Sequence, residues 1–447
     1  MATNVEMTKG NLVSQIVKFT IPLILTNILT QMYIIIDNII AGKMSGTLTL
    51  AAIGATGHLN SLLTNLLIGI GVGVSAVVAQ SIGEGNEEKI GRTIHTAMGI
   101  SIAGGLFIGA IGLLFCRQLL SLLGTPEAII DNSASYMRVY FSGYVLAAVY
   151  NFGAAILRAK GDTKRPLYFL AISGLVKIIC SLIFVGIFKL GVRAIAFSSV
   201  ISYSLSAVLV LNALMHQEGA SKLYLKKIRI YGAELKRILK MGVPIGIQTS
   251  MFSISNVLIQ SSINSFGEIA VAGSTAANNI NSLLYAILTS MSHTSTIFCS
   301  QNFGAKNYDR LLKSLYTCMG FVVVAWMLSG AAMYMFVPQI LSLLVTGEEA
   351  IRYGTEIGKV ICATYFLCGW MEVVSGGLRA INKSTHAMVS SIVGLCGLRI
   401  VWVYTYFASH RSLGVLYWSY PLSWILTLTF VAILFIYGFR KIKKSSV

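Results

Sequence analysis

Polar residues are sparse in this chain and recur at regular intervals. Between them run apolar stretches of roughly 20 residues or more, each long enough to cross a hydrocarbon core of about 30 Å as a helix. They cover about Lys18–Ile40, Ala55–Ala79, Thr93–Phe115, Ala134–Leu157, Pro166–Phe188 and Ala194–Leu214 in the first half. In the second half they cover about Gly242–Ser265, Ala270–Phe298, Ser314–Val337, Gly358–Leu378, Ala387–Phe407 and Val415–Tyr437. The expected fold is an all-α polytopic membrane protein of twelve transmembrane helices. The start, Met1 to Lys18, is polar and lacks the short apolar core and small-residue cleavage site of a signal peptide, so the first span is expected to be kept.

The two halves are versions of each other, offset by about 221–223 residues. Gln80-Ser-Ile-Gly-Glu-Gly-Asn86 aligns with Gln301-Asn-Phe-Gly-Ala-Lys-Asn307, and Lys18-x-x-x-Pro22 with Lys240-x-x-x-Pro244. Gln118-Leu-Leu-Ser-Leu-Leu123 answers Gln339-Ile-Leu-Ser-Leu-Leu344, and Leu157-Arg-Ala159 answers Leu378-Arg-Ala380. A duplicated half in a membrane protein implies two pseudo-symmetric lobes, here of six helices each, able to rock in an alternating-access cycle. The expected division is 1–215 for the first lobe, 216–240 for a basic linker, and 241–447 for the second lobe with its basic tail.

Composition agrees with immersion in lipid: the 447 residues are 55% hydrophobic and only 11% charged. The net charge of +18 has its origin in loop asymmetry. Of 34 basic residues, 24 fall in the amino-terminal segment, the even-numbered loops and the carboxyl tail, eight beside the odd loops, and two within spans. The positive-inside rule then places both termini in the cytoplasm, and both repeats enter the membrane the same way. No basic stripe is interleaved with stacking aromatics, so nucleic acid is not an expected partner. The seven cysteines form no C-x-x-C and the six histidines no H-E-x-x-H, so neither metal nor cofactor is expected.

Four ionisable residues lie within spans, where each costs about 2.5–3.5 kcal/mol by insertion scales: Asp37, Lys177, Glu372 and Arg399. Lys177 and Arg399 are repeat equivalents at mid-membrane depth. Asp37 ends a polar stripe of Thr26, Thr30 and Tyr33, each within about 40° of Thr26 around one helix face. Such a face is expected to line a wet cavity. Thr249, Ser253, Asn256 and Gln260 form a comparable stripe in span seven; Asn278, Ser282, Tyr285, Thr289 and Ser292 form one in span eight. These stripes read either as substrate contacts or as hydrogen-bonded glue between helices. Glu372 and Arg399 read either as a site or as a structural pair. Gly69-x-Gly71-x-Gly73 lies mid-span and reads as a close-packing surface. Pro22 and Pro244 read either as first-turn prolines or as sources of bending.

At Gly153-Ala-Ala-Ile-Leu-Arg-Ala-Lys-Gly-Asp-Thr-Lys-Arg-Pro166 the chain resembles the multidrug and toxic compound extrusion (MATE) transporters. That family's loop after span four reads roughly Leu-Arg-Gly-x-Gly-Asp-x-x-x-Pro. Pro22 followed by Asp37, and Gln80-x-x-Gly83-x-x-Asn86, also match, and the resemblance extends along essentially the whole chain. It implies two six-helix lobes in a V and export of amphipathic, often cationic compounds driven by inward H⁺ or Na⁺. Asp37 falls on the family's first-lobe acidic residue. Span five of many relatives carries an Asn and, four residues later, an Asp; here those positions are Lys177 and Ser181. The expected coupling residues are therefore Asp37 and Lys177, with H⁺ favoured over Na⁺. On straight helices the two lie about 10 Å apart in height.

The expected function is a secondary active antiporter for drugs or metabolites, monomeric, in the plasma membrane, with no enzymatic activity. Candidate substrate contacts are Tyr33, Thr30, Asn256, Gln260, Asn278, Tyr285, Glu372 and Arg399. The alternative is a flippase for a lipid-linked saccharide or other amphiphile, whose anionic head group would call on Lys177 and Arg399.

Overall fold

Every apolar stretch becomes helical, one of them as two helices, and most helices overrun the stretch that seeds them. The computed structural model describes residues 5–45 and 47–445. The first half contains α1 (Leu12–Ser45), α2 (Thr47–Glu84), α3 (Glu87–Leu122), α4 (Glu127–Ser142), α5 (Tyr144–Ala159), α6 (Lys164–Gly186) and α7 (Val192–Met215). The second half contains α8 (Gly232–Asn264), α9 (Glu268–Gly304), α10 (Tyr308–Ser342), α11 (Glu348–Ala380), α12 (Ser384–Ser409) and α13 (Leu413–Lys444).

Ten of these are long and apolar enough to cross a membrane, and α4 with α5 makes an eleventh span bent by 50°. The break falls at Gly143, whose backbone sits at φ −90°, ψ 4° and whose missing side chain leaves room for Val200. The twelfth, α9, is 37 residues long. Its Asn, Ser and Thr content makes it too polar to be recognised from composition alone. Both α10 and α12 contain a π-helical turn, Trp326–Gly330 and Ile392–Gly397 respectively.

Pro22 and Pro244 lie inside α1 and α8, well past their first turns. The first-turn reading of these prolines is therefore overturned, because each helix begins about three turns before its proline.

The helices gather into two compact units. One holds Ile21–Gly246 with Val5 and Glu6; the other holds Met7–Thr20 with Ile247 onward. Each unit thus includes the opening turns of a helix whose remainder belongs to the other. In the first unit, the glycine surface of α2 receives the start of α8. A Cβ on Gly69 would stand 2.2 Å from the Gly246 nitrogen, and one on Gly73 2.7 Å from Gly242 Cα. In the second unit, the start of α1 lies on α9: Thr20 and Thr294 hydroxyls bond at 2.9 Å, and Phe19 meets Phe298 edge-on at 5.4 Å.

The repeated loop motifs turn out to be caps. Asn86 accepts from the Lys89 N–H at 3.0 Å and its repeat mate Asn307 from the Arg310 N–H at 3.2 Å, each starting a helix. In the loop between α5 and α6, Asp162 accepts from the Arg165 N–H at 3.1 Å and pairs with its guanidinium. Gly161 adopts φ +89° there, and a side chain at that position would collide with Val5.

The segment read as a linker is not slack. It packs against the first unit, and α8 begins within it at Gly232. The Tyr224 N–H donates to His95 Nε2 at 3.2 Å and the Tyr231 N–H to Thr96 Oγ1 at 3.1 Å. Lys160, held below the usual lysine range by burial and then by Arg165, donates to Gln217 at 2.7 Å.

Candidate functional site

In the first unit the site is built on α1 and α6. Lys177 Nζ lies 2.5 Å from Asp37 Oδ2, with the two side chains only 14% and 15% exposed. The 10 Å height difference expected from straight helices does not arise. Three lateral contacts explain this: Tyr33 reaches Leu170 and Ala171, Asp37 reaches Lys177, and Met44 lies under Gly186. They share one parallel register, in which Lys177 lies level with Asp37.

Gly174 makes the approach possible, because a Cβ there would overlap the Tyr33 ring at 1.9 Å. The Tyr33 hydroxyl donates to the carbonyls of Leu170 (3.3 Å) and Ala171 (3.4 Å). The hydroxyls of Thr26 and Thr30 bond their own helix, to the carbonyls of Pro22 and Thr26. Ser181 bonds Ser198 of α7 at 2.6 Å, so that position serves the packing of α6 on α7. A ring of phenols stands close by: Tyr140 and Tyr203 share a 2.7 Å hydrogen bond, and Tyr144 donates to Thr64 at 3.0 Å.

In the second unit the repeat mate of Lys177 is treated differently. Arg399 follows the π-helical turn of α12 and is 1% exposed. Its guanidinium donates to Ser423 (3.2 Å), Ser255 (3.3 Å) and Asn256 Oδ1 (3.2 Å), and lies 4.3 Å from the centroid of the Tyr420 ring. Among the described residues no carboxylate comes within salt-bridge distance of it.

The pairing of Glu372 with Arg399 is therefore overturned. Glu372 lies 3.8 Å from Arg379, seven residues on along α11, and accepts from Ser292 at 3.2 Å. Arg379 also donates to Gln248 at 3.1 Å, and Gln248 to Ser391 at 2.8 Å. A spacing of seven returns to the same helix face, so Arg379 is the natural partner that counting mid-span residues alone passes over.

The remaining candidates scatter. Asn256 is exposed and carries the contact to Arg399, while Gln260 donates to Asn264 at 3.0 Å. Asn278 is half-buried; its carbonyl accepts from Ser282. Tyr285 lies within electrostatic reach of Glu372, Arg379 and Arg399. Ser292, on the polar stripe of span eight, is thus a partner of Glu372, whereas Tyr420, Ser423 and Gln248 carry no mark in the sequence. Nothing in a single polar residue on a span marks it as the ligand of a buried cation.

Two helical units, each a set of long apolar helices with ionisable groups held within spans, define a polytopic membrane transporter. A MatE family model matches residues 22–183 and again 244–405, so the chain belongs to that family and contains its unit twice. "Probable multidrug resistance protein YoeA" of Bacillus subtilis is 28% identical over 94% of this chain and 92% of its own length. An "FAD transporter" of Shewanella oneidensis is 26% identical over 79% of this chain and 78% of its own. Among solved structures, one described as MATE in complex with MaL6 superposes with a TM-score of 0.90 at 20% identity, covering 99% of both chains. A MOP superfamily transporter from Pyrococcus furiosus superposes with a TM-score of 0.89, also at 20% identity, covering 99% of this chain and 98% of its own. These structures share the twelve-helix, two-lobe fold. The chain is a transporter and not an enzyme.

Proposed function

We propose that this chain is a proton-driven antiporter that exports amphipathic compounds, and that Asp37 with Lys177 is its coupling element. The observation carrying this reading is the direct mid-span ion pair between α1 and α6. The ammonium of Lys177 occupies the place beside Asp37 that a bound Na⁺ would need. A proton arriving on Asp37 discharges the carboxylate and removes its attraction for Lys177. The contact between α1 and α6 then weakens, and α1 repacks within the first unit. Orientation with both termini in the cytoplasm, residence in the plasma membrane and a monomeric state belong to the same proposal and rest on charge asymmetry and family membership. Substrates of the kind named for the multidrug resistance relatives fit it.

The test is reconstitution into liposomes with fluorescent amphipathic cations, imposing a proton gradient and a Na⁺ gradient separately. Uphill movement driven by the proton gradient alone supports the reading. Movement driven only by Na⁺ refutes it.

A second reading is favoured by Arg399. A buried guanidinium with no carboxylate within salt-bridge distance among the described residues suits an anionic amphiphile, such as a lipid-linked saccharide or the FAD named for the Shewanella relative. Competition by anionic compounds, but not cations, for the transport of a labelled substrate would favour it.

A further inference from the structure

The segment from Lys222 to Tyr231 combines three properties that the transport cycle does not use. It carries Lys222, Lys226, Lys227 and Arg229 with no acid from Lys222 to Gly232. It exposes large apolar side chains between those cations: Tyr224, Leu225 and Ile230 are 46%, 50% and 44% exposed. It is also held in place. Tyr224 is bonded to and stacked on His95, Ile230 fills the space over Gly99, and the Tyr231 N–H is bonded to Thr96.

Among the described residues no acid forms an ion pair with Lys222, Lys226, Lys227 or Arg229. Glu234 is buried and turned toward Arg237 and Thr93, and Glu88 is paired with Arg92. The Tyr224 ring instead gathers positive charge: Lys227 Nζ lies 4.8 Å and Lys222 Nζ 5.5 Å from its centroid.

Its level relative to the bilayer follows from the helices it touches. It joins the end of α7 to the start of α8, so both its ends are span ends. It lies along the first third of α3. That helix has 36 residues, a length of about 54 Å against a hydrocarbon core of about 30 Å. The turns of α3 before Thr93 therefore overrun the core, and the segment, which meets α3 from Arg92 to Gly99, lies at the boundary between core and headgroups. A fixed strap with four cations and three exposed apolar side chains at that level is chemically matched to an anionic bilayer surface. The rings and aliphatic chains enter the interface and the cations meet phosphate.

We infer that the Lys222–Tyr231 strap is a binding surface for anionic phospholipid headgroups, anchoring the first unit to the leaflet it faces. The test is native mass spectrometry of the full chain extracted from phosphatidylcholine bilayers containing phosphatidylglycerol, counting each lipid retained. The intact chain should retain phosphatidylglycerol at least tenfold in preference, and raised salt should erode that preference. The variant K222Q/K226Q/K227Q/R229Q should lose it, whereas K441Q/K443Q/K444Q in the equally basic tail should keep it. Leu225→Ser, which leaves every charge in place, should lower it by a smaller factor and keeps the test open if the quadruple variant does not fold. Unchanged preference in both strap variants, or loss only in the tail variant, would overturn the inference. So would displacement of the lipid by millimolar inorganic phosphate, which would make the strap a site for a free anion.

Discussion

Lys177 and Arg399 occupy the same place in the two repeats, and their surroundings are opposite in kind. Lys177 faces a carboxylate, Asp37, at 2.5 Å. Arg399 is held by three neutral side chains and the face of Tyr420, with no acid in reach among the described residues. A cation balanced by a titratable acid can be unbalanced by a single proton. A cation balanced by hydroxyls, an amide and a ring has no partner that changes charge in the ordinary pH range. The repeat thus preserves the position of the charge while setting a carboxylate beside it in one lobe and neutral side chains around it in the other. This assigns proton sensing, on the function proposed above, to the first lobe.

The comparison is broken most severely at Asp37. Asp37→Asn keeps an oxygen to accept from Lys177 but cannot titrate. Proton-driven uphill transport in liposomes should fall at least tenfold, while the protein still elutes as a folded species. Substantial remaining uphill transport would move the coupling element elsewhere. Lys177→Met asks the converse question. It leaves a carboxylate in a mid-span site without its cation, which should cost about 3 kcal/mol of stability, read as a lowered thermal midpoint. It should also displace the pH profile of transport. The double variant Asp37→Asn/Lys177→Met should recover most of the stability and none of the pH response. An unchanged pH profile in Lys177→Met would remove that residue from the mechanism.

A second contrast lies where helices cross. In the first unit α8 meets α2 glycine to glycine, at Gly242 and Gly73. In the second unit the repeat-equivalent crossing of α1 on α9 is threonine to threonine, at Thr20 and Thr294. Backbone contact leaves no room for a methyl group, whereas a hydroxyl pair already holds the helices a side chain apart. Gly73→Ala should therefore cost about 2–3 kcal/mol, because the colliding atom is backbone and cannot rotate away. A thermal midpoint unchanged by this substitution would mean the crossing has slack.

Arg399→Met sharpens the first comparison from the other side. No carboxylate is left behind, and the Ser423 hydroxyl already bonds the Tyr420 carbonyl at 2.7 Å. The expected cost is about 1–2 kcal/mol, below that of Lys177→Met, with the pH profile unmoved. A pH profile that shifted as far as in Lys177→Met would end the distinction between switch and fixed charge.

The periodicity of apolar stretches disclosed nearly all of the fold, because a bilayer admits few alternatives to a helix of set length. It missed the overrun of helices into polar flanks, where caps such as Asn86 and Asn307 set the boundary, and the break of span four at Gly143. The candidate site was legible to the extent that charge in a span is costly: Asp37, Lys177, Glu372 and Arg399 stood out at once. The resemblance already set Asp37 with Lys177, but the partners of Glu372 and most of those of Arg399 were not legible. The register of α1 against α6 depends on Gly174 admitting Tyr33, a contact between residues 141 positions apart that no local spacing encodes. The Glu372–Arg379 pair was within reach, since seven residues along one helix is a local relation, but Arg379, near a span end, stands out in the sequence only as the repeat mate of Arg158.

The smallest effect tests whether the two crossings are equivalent in purpose as well as position. Thr294→Val preserves shape and removes one hydroxyl. Its own helix also loses the bond from Thr294 to the Ser290 carbonyl at 2.8 Å, but that carbonyl keeps its place in the helix ladder. The expected loss is about 1 kcal/mol. Thr20→Val should cost a similar amount, and the double variant less than their sum, since the 2.9 Å bond can be lost only once. If the single costs simply add, the two hydroxyls act independently. The second unit would then hold its crossing by packing alone, as the glycine crossing of the first unit does, and the contrast between the lobes would be confined to their buried cations.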